Sequence, residues 1–216
     1  DLKKSYQLGE VRVDALRGID LQLNKGEFTA VLGASGSGKS TLFNMLGAID
    51  NPDSGEILID GVDLRRMSEK EKSIFRNEKL GFIFQSFNLI PVLSVYENVM
   101  LPLLINRRIP TSERHDRVMN VLNEVGLSEK VKSLPDKLSG GQRQRVAIAR
   151  CLVTDPVLVL ADEPTANLDS QTTQQILDMM LELNAKRQVT FFFSTHDEKL
   201  IRRVNRVVRI IDGRIA

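Results

Sequence analysis

Residues 27–41 read Glu27-Phe28-Thr29-Ala30-Val31-Leu32-Gly33-Ala34-Ser35-Gly36-Ser37-Gly38-Lys39-Ser40-Thr41. An apolar run of strand length enters a glycine-rich turn, and the turn opens a helical stretch from Lys39 to Ile49. Gly33 to Ser40 fits the G-x-x-x-x-G-K-[ST] spacing of a phosphate loop, in the strand-before, helix-after context that the motif requires. A triphosphate presents many acceptor oxygens at once. Glycines let successive backbone N–H groups turn inward, while the helix N-terminus adds the positive end of its dipole. In such a loop Lys39 reaches the β- and γ-phosphates and Ser40 ligates Mg2+. Gly33, Ala34, Ser35, Gly36, Ser37, Gly38, Lys39, Ser40 and Thr41 are therefore candidate nucleotide-binding residues. A glycine turn capping an ordinary helix would share the composition but not the strand-loop-helix order. Kinase, GTPase, motor and transport chemistries all remain open on this motif alone.

Elsewhere, strand-length apolar runs at 80–84, 157–161, 189–194 and 206–211 alternate with helical segments at 68–77, 141–153, 170–186 and 198–204. This alternation predicts an α/β fold with a largely parallel sheet. The first 23 residues differ: Ile19-Asp20-Leu21-Gln22-Leu23 alternates apolar and polar, the mark of half-exposed, antiparallel strands. A short strand pair is expected at 56–60 and 62–64, after the turn cluster Asn51-Pro52-Asp53-Ser54-Gly55. From Ser94 to Gly126 the pattern is helical only, so a helical insertion interrupts the core. Its first helix opens on the capping box Ser94-Val95-Tyr96-Glu97, and Pro102 is expected to kink or end it.

The 216 residues carry 30 Lys plus Arg against 28 Asp plus Glu, and 42% are hydrophobic, which is globular rather than disordered composition. The longest apolar run, Val99 to Ile105, falls far short of the ~20 residues that a bilayer-spanning helix needs, so no direct membrane span is expected. There is no basic n-region leading an apolar h-region, and the single cysteine, Cys151, has no internal partner, which fits a reducing cytoplasmic compartment. Near-balanced charge, 5% aromatics and no Trp give neither the basic stripe nor the stacking platforms of a nucleic-acid binder.

Val157-Leu158-Val159-Leu160-Ala161 ends in Asp162-Glu163-Pro164. Carboxyl ends of parallel strands are where ligands sit, so both carboxylates are expected to face the phosphate loop. Asp162 would hold Mg2+ and Glu163 would orient and deprotonate an attacking water. Without a phosphate loop nearby, the same pair would read as a solvated turn. Leu138-Ser139-Gly140-Gly141-Gln142 opens another helix. Ser139 and Gln142 can form a capping box, but two adjacent glycines at a helix start also suit a second anion site, which would cover another molecule's nucleotide.

The ordered set of Gly33 to Ser40, Gln85, Leu138 to Gln142, Val157 to Glu163, Leu168-Asp169 and His196 resembles the nucleotide-binding domain of ABC transporters, over nearly the whole chain. The resemblance implies an α/β P-loop NTPase: a single ABC domain over 1–216, with a RecA-like core and antiparallel β-subdomain in 1–85 and 154–216. The helical subdomain with the signature motif would span 86–153. It also implies that Tyr6 stacks on adenine and that Gln85 contacts Mg2+ and the lytic water. Asp169 would act at a dimer interface and His196 would contact the γ-phosphate. Tyr6 read alone could be a strand aromatic, and Gln85 an exposed residue after a strand. His115 reads as solvated helix surface and Cys151 as a small buried hydrophobe.

Gly81 to Pro91, Glu97-Asn98-Val99 and Leu160 to Asp169 are similar to the LolD, MacB and FtsE group, with Ala166 where many members have Gly. The expected function is an ATP-hydrolysing subunit, with ATP and Mg2+ as ligands. Two copies would close on two ATP molecules and drive an integral membrane permease from the cytoplasmic side of the cell membrane. Phe87, Leu89, Ile90, Leu93 and Tyr96 are candidates for the groove that receives a permease segment, or for the private core of the insertion. A soluble ABC-type ATPase with a non-transport partner is the rival, against which the interval from Lys39 to Asp162 is too short for a long coiled-coil insertion. A P-loop kinase or GTPase would leave Leu138 to Gln142 unexplained.

Overall fold

The computed structural model describes residues 1–195 and 198–216. The chain forms β1 (Leu2–Leu8), β2 (Val11–Ile19), β3 (Phe28–Leu32), α1 (Lys39–Leu46), β4 (Leu58–Ile59), β5 (Val62–Asp63), α2 (Glu69–Lys79) and β6 (Leu80–Ile83). It continues through α3 (Val95–Ile105), α4 (Thr111–Glu124), α5 (Gly140–Leu152), β7 (Leu158–Ala161), α6 (Ser170–Arg187), β8 (Thr190–Ser194), α7 (Glu198–Ile201), β9 (Arg206–Ile211) and β10 (Arg214–Ile215).

The central sheet has the order β10-β9-β3-β8-β7-β6; every neighbouring pair is parallel except β10 with β9. Uninterrupted apolar runs suit this position because helices cover both faces of a parallel sheet. In β8 the pleat sends successive rings to opposite sides. Phe191 and Phe193 pack on Phe28 at 5.3 and 4.9 Å, while Phe192 stacks on Phe43 of α1 at 5.3 Å. Each such buried ring contributes about 1.5–3 kcal/mol. Phe192 joins Val31, Leu42 and Leu160 in the core on one face. Phe191 and Phe193 join Val99, Leu122, Val146 and Ile176 on the other, so α3, α4 and α5 share one apolar interior with the sheet.

The N-terminal β1–β2 hairpin is antiparallel, as its alternation predicts, and a bridge between Lys3 and Ser54 ties it to the loop after α1. Residues 20–23 keep the alternating exposure but lie outside the strands. Three expectations shift. Helix α1 stops at Leu46 rather than Ile49, because Gly47 caps it and Ala48 adopts a left-handed φ of 52°. Pro102 does not end α3, which continues to Ile105; the proline sits near the C-terminal turn, where only one backbone bond is sacrificed. The last helix covers only Glu198–Ile201 rather than reaching Val204.

Candidate nucleotide site

The loop between β3 and α1 wraps around a helix N-terminus that no side chain among the described residues caps. The first turn of α1 has Gly38 at its N-cap, no side-chain cap and no acidic residue, so its leading N–H groups remain available to an anion. By contrast α2, α3 and α5 each begin with a complete capping box. Gly38 is required twice over: its φ is 106°, and a Cβ there would meet the Ala15 carbonyl oxygen at 2.5 Å. Lys39 Nζ donates to the carbonyls of Gly33 at 2.6 Å and Ala34 at 2.9 Å, which keeps the ammonium over the loop.

Ser35, Gly36, Gly38, Lys39, Ser40 and Thr41 line a cleft of about 550 Å³, and Gln85, Asp162 and Glu163 form its other wall. Segments far apart in sequence meet here because β3, β6 and β7 run parallel and end at the same edge of the sheet. Ser40, Gln85 and Asp162 offer a hydroxyl, an amide oxygen and a carboxylate, a hard-oxygen set that suits Mg2+ when phosphate and water complete the shell. Among the described residues, no group of three or more His, Cys, Asp or Glu side chains could hold a metal by itself. Any ion here would therefore depend on the phosphates.

Ser194, fully buried at the end of β8, joins the two carboxylate residues. Its hydroxyl donates to Asp162 Oδ1 at 2.6 Å and accepts from the Glu163 backbone N–H at 2.9 Å. Glu163 itself holds a left-handed φ of 45°, a conformation that costs a non-glycine residue about 1–3 kcal/mol and persists only where surroundings impose it. The loop after β6 is also constrained. Phe87 and Asn88 have φ of 61° and 48°, and the Arg150 guanidinium donates to both of their carbonyls at 2.9 and 2.6 Å. Asn167 Nδ2 donates to the Gln85 carbonyl at 3.0 Å.

Other predicted residues lie elsewhere. Ser139 to Gln142 do not line this cleft; they form the capping box, and Gly140 faces Leu168 and the Asn167 carbonyl of its own chain. Asp169 caps α6, accepting from the N–H groups of Gln171 and Thr172. Tyr6 stands outside the cleft lining, its hydroxyl donating to Asp50 at 3.0 Å. His196 lies outside the described residues. His115 is exposed, as expected, with Nδ1 3.0 Å from the Tyr96 hydroxyl. Burial pushes the Cys151 thiol pKa upward, as befits an inert core residue. Leu89 and Tyr96 pack against the core, whereas Ile90 and Val92 are exposed.

Sequence reasoning did not single out Ser194, Asn167 or Arg150, nor Val13, Asp14, Ala15, Arg17, Asp212 and Gly213, which also line the cleft. A polar residue closing the apolar run at 189–194 was the available signal for Ser194; the others carried none.

The sequence profile of the family described as ABC transporter matches residues 16–166. An uncharacterized ABC transporter ATP-binding protein of Thermotoga maritima is 46% identical over 215 residues, covering 100% of this chain and 91% of that protein. The lipoprotein-releasing system ATP-binding protein LolD of Legionella pneumophila is 45% identical, covering 98% and 93% respectively. Among solved structures, the dimeric post-hydrolysis state of the ATP-binding cassette MJ0796, bound to ADP and Pi, superposes with a TM-score of 0.88 at 40% identity, covering 99% of this chain and 94% of that one. With the phosphate loop, the paired carboxylates and the second glycine-rich helix start all in place, the chain belongs to the ABC transporter family, as an ATP-binding, ATP-hydrolysing member.

Proposed function

We propose that two copies of this chain close around two ATP molecules and drive a separate integral membrane permease of the lipoprotein-release or macrolide-export type. Each ATP would lie between the phosphate loop of one copy and Ser139 to Gln142 of the other. The observation that carries this reading is the placement of that second helix start, outside its own cleft and beside its own Asn167 and Leu168. The dimeric state of the MJ0796 structure supports it. No helix among the described residues is long and apolar enough to cross a membrane, which fits a peripheral subunit on the cytoplasmic side. Exposed Ile90 and Val92 are the apolar residues of this loop offered to the permease, while Leu89 and Tyr96 pack on the core.

Tyr6 stacks on the adenine, and Lys39 turns from the loop carbonyls to the β- and γ-phosphates. Ser40, Gln85 and Asp162 would hold Mg2+, which when bound neutralises phosphate charge. Glu163 takes a proton from the attacking water, which Gln85 helps to orient. His196 contacts the γ-phosphate, and Asp169 holds the start of α6 at the dimer interface. Cross-subunit contacts to the γ-phosphate supply the differential affinity that closes the pair, and hydrolysis removes them. Glu163→Gln should therefore trap an ATP-dependent dimer on size exclusion; a variant that stays monomeric at saturating ATP refutes the sandwich.

A further inference from the structure

The loop between α1 and β4 reaches back to β1 through Asp50. Its Oδ2 accepts a hydrogen bond from the Tyr6 hydroxyl at 3.0 Å, and its Oδ1 accepts from Lys4 Nζ at 3.0 Å and from the Asn51 N–H at 2.7 Å. The Lys4 ammonium stands 5.1 Å from the centre of the Tyr6 ring and also donates to the Asn51 carbonyl at 2.8 Å. The loop is itself held from behind, since the buried Lys72 of α2 donates to the Asn51 side chain and to Glu69. Burial raises the Tyr6 pKa and Asp50 adds to the rise. Burial opposes the Asp50 charge, but Lys4, the Asn51 N–H and the Tyr6 hydroxyl outweigh it and hold the carboxyl below its usual range. At neutral pH the pair is thus a phenol donating to a carboxylate, a charge-assisted bond. Holding the hydroxyl restrains the first side-chain torsion of the tyrosine, while the cation over one face and the in-plane preference of the phenol O–H restrain rotation of the ring about the second.

We propose that Asp50 is a positioning residue for nucleotide binding: by holding the Tyr6 hydroxyl and the Lys4 ammonium together, it sets the plane of the ring on which the nucleobase stacks. This rests on the reading that Tyr6 stacks the base. Asp50 touches neither phosphate nor the attacking water, so its loss should act on nucleotide affinity and not on turnover. The neighbouring Asp53 is the natural control. It fastens the same strand by accepting from the Ser5 N–H and hydroxyl at 2.7 and 2.6 Å and stands 3.9 Å from the Lys4 ammonium, but it is Asp50 that accepts from the Tyr6 hydroxyl.

The chain has two tyrosines and no tryptophan, so Tyr96→Phe leaves Tyr6 as the sole emitter. In that background ATP should quench the Tyr6 emission, whereas inorganic tripolyphosphate, which has no base, should not. Asp50→Asn should brighten Tyr6 without nucleotide, because a quenching carboxylate acceptor is lost. It should also raise the Kd and KM for ATP about 3- to 10-fold, part of what losing a base–aromatic stack costs. Its kcat and its affinity for tripolyphosphate should stay within twofold. Asp53→Asn should leave all of these readings at the wild-type level. If Asp50→Asn weakens tripolyphosphate as much as ATP, or Asp53→Asn has the same effect, Asp50 is merely structural and the proposal fails. If Tyr6→Ala weakens ATP but Asp50→Asn does not, positioning alone is refuted. If Tyr6→Ala leaves ATP affinity intact, the stacking reading falls and takes this inference with it.

Discussion

Ser194→Ala tests whether one buried hydroxyl organises both strand-end carboxylate residues. The substitution removes a hydrogen bond to the Asp162 carboxylate and the acceptor of the Glu163 N–H. A bond to a charged group contributes about 1.5–3 kcal/mol, and a buried donor that loses its acceptor costs about 1–3 kcal/mol. Because both losses share one atom they do not add, and a net ~2–4 kcal/mol is expected. For a chain of this length that lowers the Tm by about 4–16 °C. The same hydroxyl restrains Glu163 at a φ of 45°. Released, the peptide relaxes toward ordinary φ by about 1–2 kcal/mol, leaving the aligned carboxylate roughly 5- to 30-fold less populated. Turnover at saturating ATP should fall by that factor, with KM for ATP little changed, since no phosphate contact is lost. Thermal unfolding and phosphate-release kinetics on the same preparation decide it. A Tm within about 2 °C of wild type together with an unchanged kcat would refute the reasoning.

Gly38→Ala should abolish ATP binding and lower the Tm, because both the φ of 106° and the Ala15 carbonyl forbid a Cβ; a binding isotherm like the wild type's would count against the loop geometry. Glu124 is ion-paired with Arg187 and Lys186; burial opposes its charge, but these partners outweigh it and hold its pKa below the ordinary 4.5. Its contribution is therefore fully present above that value and lost as pH falls through the lower folded-state pKa. Denaturant titrations should show Glu124→Gln less stable than wild type at pH 7, with the gap closing in acid; a gap independent of pH contradicts the pairing. Cys151, buried with its pKa driven up, should resist thiol reagents in the native state and react only as fast as the chain opens; rapid native labelling would place it at the surface.

Much of the site was legible because its chemistry is local. A phosphate loop needs its glycines, lysine and hydroxyl within one strand-turn-helix, so residues 28–46 carry that information in order, and capping boxes such as Ser94 with Glu97 are likewise satisfied within one turn. Uninterrupted apolar runs also announced a sheet buried on both faces, because only such a position tolerates three successive phenylalanines. Sequence order pointed Asp162 and Glu163 toward the phosphate loop, because both end a parallel strand, but it left open the side-chain contacts between distant segments. Whether Ser194 reaches Asp162, 32 residues away, depends on the parallel register of β7 with β8. Whether Arg150 holds the Phe87 and Asn88 carbonyls depends on how α5 lies across the sheet edge. Neither carries a periodic or compositional mark. By itself the sequence determined the phosphate-binding chemistry and the α/β class, because these rest on residue type and spacing. Only the tertiary structure decided that Ser194 ties Asp162 and Glu163 together and that Arg150 holds the loop after β6, because burial and strand register bring distant residues to one edge.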